Sequence, residues 1–401
     1  MPMSTRRAYR ALLAAPRRPR AADGSPGPDQ PDRFAAADGG GLPHSGPDGR
    51  DRPIAPARRG GRRSGSGAGA ELVHEGPPPG VGHLRWYQTL VLGRPLAVLV
   101  HPERGTVTTA VELDPESGDL LADVQPYGPR AAPAPSAPGE SGPVLRRLLD
   151  RLAGSDPPIV RLQVLTSTRP PNRTARVHLV AALPLTRAMV SDARAVDQRP
   201  GDGLAMLAGR ATLDLCLQLA DCGLSIQSFV DIRGLTGLIR SRYDPGRGHR
   251  DGVAGSPWPT EIDATHHRHL RTLSSSPALG AVGWYHATAW VKSWPGGTEG
   301  LDLTAPLRLP RLPRLPLPRT AALVLALAPG EEPTAAGYVT VSARTAAELQ
   351  QAREDFKRAL PADAPLQLEW TDREHHLAFT HTLPLATGLA AAPPSAPVPH
   401  F

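Results

Sequence analysis

Residues able to hold a metal or move a proton gather at one place in the chain: Glu261, Asp263, His266, His267 and His269, in E-I-D-A-T-H-H-R-H. On a helix, Asp263 and His267 would share a face at four-residue spacing, an arrangement that metal sites use. The stretch, however, lies among Pro, Gly and Ser and is interrupted by Arg268, and a metal site would also need a second set of residues to orient its ligands. It reads as a polar loop, and no metal is assigned to it. A second group, His375, His376 and His381, is spaced like the outer side of a final strand and reads as a solvent-facing edge. Phosphate cradles need a glycine loop with a lysine or a helix N-terminus aimed at the phosphates. No G-x-x-x-x-G-K-S/T or G-x-G-x-x-G occurs, and neither Lys292 nor Lys357 lies in such a loop. A G-x-S-x-G elbow, zinc-type cysteine pairs and H-E-x-x-H are likewise missing from the sequence. The expectation is a chain that is not an enzyme, with no catalytic residues, no cofactor and no small-molecule substrate.

What the sequence offers instead is surface for assembly. Residues 283–295, G-W-Y-H-A-T-A-W-V-K-S-W-P, hold three of the six tryptophans and one of the two lysines, in a chain otherwise dominated by Ala, Arg, Pro, Gly and Leu. From Tyr285 onward His286, Thr288, Trp290, Lys292 and Trp294 alternate with Ala287, Ala289, Val291 and Ser293, the period of a strand with two unlike faces. Each indole brings a large apolar area and one N–H that needs an acceptor. A core strand is one reading. A partner-binding strand is the other, with Trp284, Trp290 and Trp294 as contacts. Residues 307–318, L-R-L-P-R-L-P-R-L-P-L-P, place Pro310, Pro313 and Pro316 every third residue, on one edge of a polyproline II helix. Such segments dock into aromatic grooves or act as stiff spacers. The spacer is the preferred reading, with the three prolines kept as candidate contacts.

The formal charge of +7 is confined to one end. Residues 1–70 carry thirteen arginines against six aspartates, leaving thirty-two basic and thirty-two acidic side chains in the rest. A basic groove for nucleic acid in the folded part is therefore not expected. Cys216 and Cys222 are the only cysteines, too few and too close for a disulfide framework, which fits a reducing compartment. No apolar run reaches the roughly 20 residues of a membrane-spanning helix, and Pro16 interrupts the short apolar stretch near the N-terminus.

The elements fall into an order. Residues 1–80 read as a disordered basic Pro/Gly/Arg-rich tail, of which 5–15 could form a short helix touching anionic lipid. Strands are expected over 96–100 and 106–113, a helix over 143–153, strands over 160–166 and 175–182, and a long buried helix over 203–222 that Gly223 ends. Asp231 caps a helix bearing Leu235, Leu238 and Ile239, following a strand over 224–230. Beyond the tryptophan strand come strands over 321–328 and 337–343, a helix from Thr345 with Glu348 in a capping box, and strands over 366–370 and 376–383. The division is 84–304 for a first part, 305–318 for a Pro-rich linker, 319–388 for a second part and 389–401 for a second tail. Residues 96–185 and 321–385 share the order strand, strand, helix, strand, strand, and both end in L-P-L, so two similar halves are one reading. The fold class is α+β, with layered mixed sheets and helices.

Four stretches resemble a known family. D-C-G-L-S-I-Q-S-F-V-D-I-R-G-L-T-G-L-I-R at 221–240, the tryptophan strand at 283–295, A-A-G-Y-V-T-V-S-A-R-T-A-A-E-L at 335–349 and T-L-P-L at 382–385 are similar to the soluble domain of EccE, a subunit of the actinobacterial type VII (ESX) secretion machinery. The resemblance covers about residues 84–388. It implies a non-catalytic scaffold subunit, peripheral at the cytoplasmic face of the cell membrane, with EccB-, EccC- and EccD-like partners and an FtsK-like ATPase, EccC, supplying energy. EccE proteins usually begin with transmembrane helices. Here that place is taken by 1–80, so the expectation is a divergent, soluble or truncated relative. Tyr243-Asp244-Pro245 at a helix end beside a Trp-rich strand also resembles conjugation-associated subunits of actinomycetes, although the long charged C-terminal helix usual there is missing. A transferase with an unrecognised pocket is the reading from a different class.

Overall fold

A computed structural model describes residues 81–123, 144–153, 158–169, 175–246, 261–276, 280–297, 300–311, 317–328, 331–360 and 365–389. In chain order the elements begin with β1 (Arg85–Val91), β2 (Arg94–His101), β3 (Thr106–Leu113), α1 (Pro115–Leu121), α2 (Val144–Leu152), β4 (Arg161–Thr168) and β5 (Arg176–Pro184). They continue with α3 (Arg187–Val196), α4 (Pro200–Asp221), β6 (Ile226–Phe229), α5 (Ile232–Tyr243), β7 (Glu261–Asp263), β8 (Leu270–Ser276) and β9 (Gly280–Ser293). The last are the two-residue pair β10 (Gly296–Gly297) and β11 (Gly300–Leu301), then α6 (Ala305–Arg308), β12 (Arg319–Ala326), β13 (Thr334–Ala343), α7 (Ala346–Ala359), β14 (Gln367–Trp370) and α8 (His375–Thr380).

Twelve of the strands form one sheet in the order β1-β2-β3-β5-β4-β12-β13-β9-β8-β7, with β6 added on β3 and β14 on β9. The class is α+β, as expected, but every pairing is antiparallel rather than mixed. Short links such as the Leu92-Gly93 turn, both residues at positive φ, favour this, since a two-residue loop can only return the chain antiparallel.

Both faces of the sheet are covered, so alternate residues of each central strand enter different cores. Leu162 and Val164 of β4, Leu179 and Leu183 of β5 and Leu323 and Leu325 of β12 pack with α2 and α4 on one face. Leu165, Val180, Ala182 and Ala322 point the other way, toward Leu235 and Ile239 of α5, Phe379 of α8 and Leu383 beyond it. α7 lays Leu349, Ala352 and Phe356 on Val339, Val341 and Val291. Its start is fixed as the sequence indicates: Thr345 accepts from the Glu348 N–H, and the Glu348 carboxylate accepts from the Thr345 N–H. Asp231 caps α5 in the same manner through Gly234.

Two expectations fail here. Residues 305–311 are not an extended spacer: α6 and a 3-10 turn (Leu309–Arg311) bury Leu307, Leu309 and Pro310 against β4 and β12. Leucines at every second or third position can serve a helix as well as polyproline II, and burial of that apolar side decides between them. Residues 375–380 are a helix rather than part of a strand. His375, Ala378 and Phe379 fall at helical spacing and are all buried, and Arg373 at positive φ turns the chain just before them. The proposed second half therefore ends in a helix where the first ends in β5. The sequence reading also passed over β1, α1 and α3, although Asp114 and Thr186 cap the two helices with standard side-chain bonds to Ser117 and Met189. The tails at 1–80 and 390–401 lie outside the described residues. Among the described residues no helix is long and apolar enough to cross a membrane.

α3 and α4 meet at Gly203, where an added Cβ would lie 2.0 Å from the Ala193 carbonyl oxygen. Gly203→Ala must push the helices apart, and a loss of roughly 1–3 kcal/mol is expected for such overpacking. Urea unfolding of the variant measures it, and an unchanged midpoint would refute the close approach.

Candidate functional site

The face of the sheet under α5 and α8 carries a row of polar side chains that the sequence pattern alone does not bring together. β9 pairs with β13 so that His286 lies opposite Ser342 and Thr288 opposite Thr340, and β12 places Thr320 beside Thr340. Once α8 covers them these groups are buried and must satisfy one another. Thr288 and Thr340 share a 2.8 Å hydroxyl bond, and Thr340 reaches Thr382 at 3.2 Å. The Thr272 hydroxyl donates to the Tyr243 carbonyl at 2.7 Å, so toward His286 Nε2 it can only accept, at 2.9 Å. His286 therefore carries its proton on Nε2 and accepts from Ser342 at Nδ1, 2.8 Å away. Complete burial pushes the His286 pKa down to about 3, so the ring stays neutral.

At the end of α5 this row meets Trp284. Its indole N–H donates to Asp244 Oδ1 at 2.8 Å, and the Arg344 guanidinium lies 3.9 Å over its ring. Trp284 is thus an interior tie between β9 and the Tyr243-Asp244-Pro245 corner. Trp294 is half-buried against the core, where Gly337 leaves room for it and for Val291. Of the three tryptophans only Trp290, 42 % exposed, is presented outward, flanked by the Lys292–Glu369 ion pair at 3.2 Å. Pro310 is buried and its carbonyl accepts from Thr168 at 2.8 Å, while Pro313 and Pro316 lie outside the described residues. The four described candidate contacts, Trp284, Trp290, Trp294 and Pro310, are therefore not one surface.

A cleft opens where α5 ends, between the end of β4 and the beginning of β12. Arg169, Ser241, Arg242, Arg319 and Thr320 line it, and the centre of a water-sized guest can move through about 10 Å³. Arg242 is 7 % exposed and donates one bond, from Nη1 to Thr320. Its Nε and Nη2 meet no acceptor among the described residues. Burial, then Arg169 and Arg176, push its pKa down to about 9. The sequence reading missed this residue, yet a signal existed. Arg242 continues the stripe of Leu235, Leu238 and Ile239 at helical spacing, a charge on the apolar side of its helix.

Other chemistry is sparse. No cluster of three or more His, Cys, Asp or Glu suited to a metal occurs among the described residues. His266 and His269 stack face to face at 3.9 Å instead of converging on a point. Cys216 and Cys222 are free and buried, and burial pushes the Cys216 thiol up to about 12, far from a reactive thiolate. His375 is interior rather than at an edge, accepting from the Thr288 N–H at 3.2 Å and pairing with Asp372. No protein-family model matches the chain, and no curated protein is significantly similar to it in sequence.

Trp284→Phe keeps the ring under Arg344 and removes the bond to Asp244, and a loss of about 1–3 kcal/mol is expected. Denaturant titration checks it, with no change counting against the tie. Acid supplies a second test. Burial holds His178 and His286 near about 3, and His375 and His381 near about 4, so all four stay neutral in the fold. The unfolded chain takes up these protons below its ordinary histidine pKa of about 6.5, so stability is full above that pH and falls as pH drops toward 4. Each histidine contributes a slope of about 1.4 kcal/mol per pH unit. Stability measured between pH 7.5 and 5 should fall steeply, and less steeply in His286→Gln. A flat profile would contradict the burial.

Proposed function

We propose that this chain is a non-catalytic scaffold subunit of a type VII (ESX) protein-secretion complex, related to EccE and peripheral at the cytoplasmic face of the membrane. The observation that carries the reading is the convergence of the four stretches similar to EccE. β9 pairs with β13, Thr340 of β13 bonds Thr382, and Leu235 and Ile239 of α5 share a core with Leu383. Segments scattered over 221–385 thus build one shared region, as a common fold would require. The basic stretch at 1–70 offers a means of membrane association, because clustered arginines near anionic lipid contribute about 1 kcal/mol each. A transferase would need a cleft that encloses its substrate, and the cleft at Arg242 admits a guest of about water size.

In this reading the partners are EccB-, EccC- and EccD-like proteins, and Trp290 is the contact residue on the tryptophan strand. Affinity purification of the tagged full chain from its native cell should recover an FtsK-like ATPase and the neighbouring membrane subunits. Trp290→Ala should reduce that recovery severalfold with the melting temperature unchanged, because the indole is already partly solvated. Recovery of none of these subunits with the wild-type chain would reject the assignment.

A further inference from the structure

After α8 the chain crosses its own sheet in a definite direction. The Ala386 N–H donates to Gln163 of β4 at 2.8 Å. Two residues later the Gly388 carbonyl accepts from the Tyr338 hydroxyl of β13. His381 secures this return, with its ring 4.8 Å from that of Tyr338 and its Nδ1 bonded to Thr387 at 3.2 Å. Since β12 lies between β4 and β13, residues 386–388 pass from one side of β12 to the other. The next strand in that direction is β9, and the residue it sets directly opposite Tyr338 is Trp290. Opposed residues of paired strands project on the same face, as Thr288 and Thr340 do here through their 2.8 Å bond. Neighbouring strands are about 4.8 Å apart. Six steps of extended chain, from Gly388 to Pro394, span up to about 19 Å at 3.1 Å each. The residues that follow Leu389 therefore reach Trp290 with length to spare.

The chemistry of the two partners matches. Of the large apolar side chains exposed among the described residues, Trp290 is the aromatic one. Its indole N–H meets no acceptor among them. The Lys292–Glu369 pair beside it leaves no unbalanced charge to be met. Residues 390–401 read A-A-A-P-P-S-A-P-V-P-H-F, with four prolines and no Lys, Arg, Asp or Glu. Pro394 and Pro397, three apart, fall on one edge of a polyproline II helix. Such edges pack on aromatic rings, and their free carbonyls accept from an indole N–H. We propose that residues 390–401 dock on the β9–β13 surface of their own chain, with Pro394 and Pro397 against the Trp290 indole. A partner that uses Trp290 must then displace this segment. The contact is internal to one chain, so it stands independently of the secretion assignment.

Fluorine NMR of the full-length protein labelled with fluorotryptophan tests this directly. Trp290→Phe and Trp284→Phe identify the two resonances by their loss. Ending the chain at Leu389 removes none of the described residues. It should shift the Trp290 resonance and make it severalfold more sensitive to a water-soluble paramagnet. The Trp284 resonance, sealed under Asp244 and Arg344, should not move. In the full chain, Pro394→Ser combined with Pro397→Ser should reproduce most of that change, whereas Ser395→Ala, on another edge, should not. A tethered contact does not depend on protein concentration, so the full-length spectrum should be unchanged on about tenfold dilution. Dilution that moves the Trp290 resonance to its position in the shortened chain would assign the occupant to a second copy and overturn the proposal. So would a Trp290 resonance that neither the truncation nor the double proline variant moves.

Discussion

The antiparallel pairing of β4 with β12 is the contact on which the rest of the structure depends. Arg319 to Ala326 run in register against Thr168 to Arg161, joining strands that stand far apart in sequence. Without that ladder the chain would present two smaller sheets, each with an exposed edge of unpaired N–H and C=O groups. With it, β4 and β12 become central strands whose residues are almost wholly buried, as Leu162, Val164, Leu165, Leu323 and Val324 are. The short helical stretch α6, with the turn after it, packs against both strands and acts as a clamp on the seam rather than as a spacer between parts.

A sheet covered on both faces restricts its polar side chains. Hydroxyls and imidazoles buried on the face beneath α5 and α8 have little water to turn to and mostly pair within the protein, Thr236 Oγ1 being an exception. That restriction produces the chain of bonds from Tyr243 through Thr272 and His286 to Ser342, and the neighbouring one from Thr288 through Thr340 to Thr382. Each links a strand to the helix or segment above it, so the polar row fixes the layers in register as well as satisfying its own groups. Arg242 stands out against this background because the same rule leaves its guanidinium incompletely met. Among the described residues it is the side chain with two buried nitrogens, Nε and Nη2, that meet no acceptor.

Much of the local structure was legible from the sequence. Thr345 and Glu348 specified the start of α7, Asp231 that of α5, and Gly223 the end of α4, because capping is a contact between near neighbours. The two-faced alternation around Trp284, Thr288 and Trp290 announced β9 for the same reason. Residues 375–380 were misread because six residues contain too few turns to distinguish a helical from an alternating spacing. The proline-rich stretch was misread because its apolar side has no meaning until a core lies beside it. At the candidate site, the tryptophans were visible as unusual residues but their roles were not. Trp284 and Trp290 occupy the same side of one strand, yet one is sealed under Asp244 and Arg344 and the other faces outward.

By itself, the sequence determined the α+β class, the places of α2, α4, α5 and α7, and the confinement of net charge to the first seventy residues. All of these follow from composition or from contacts within a few positions. Tertiary structure alone decided that β1–β5 and β12–β13 share one sheet, that His286 and His375 are neutral interior groups, and that Arg242 lies in a cleft whose described lining holds no acid. Those outcomes depend on which distant strand supplies the next hydrogen-bonding edge and on which helix then excludes water. No spacing within one segment encodes either choice.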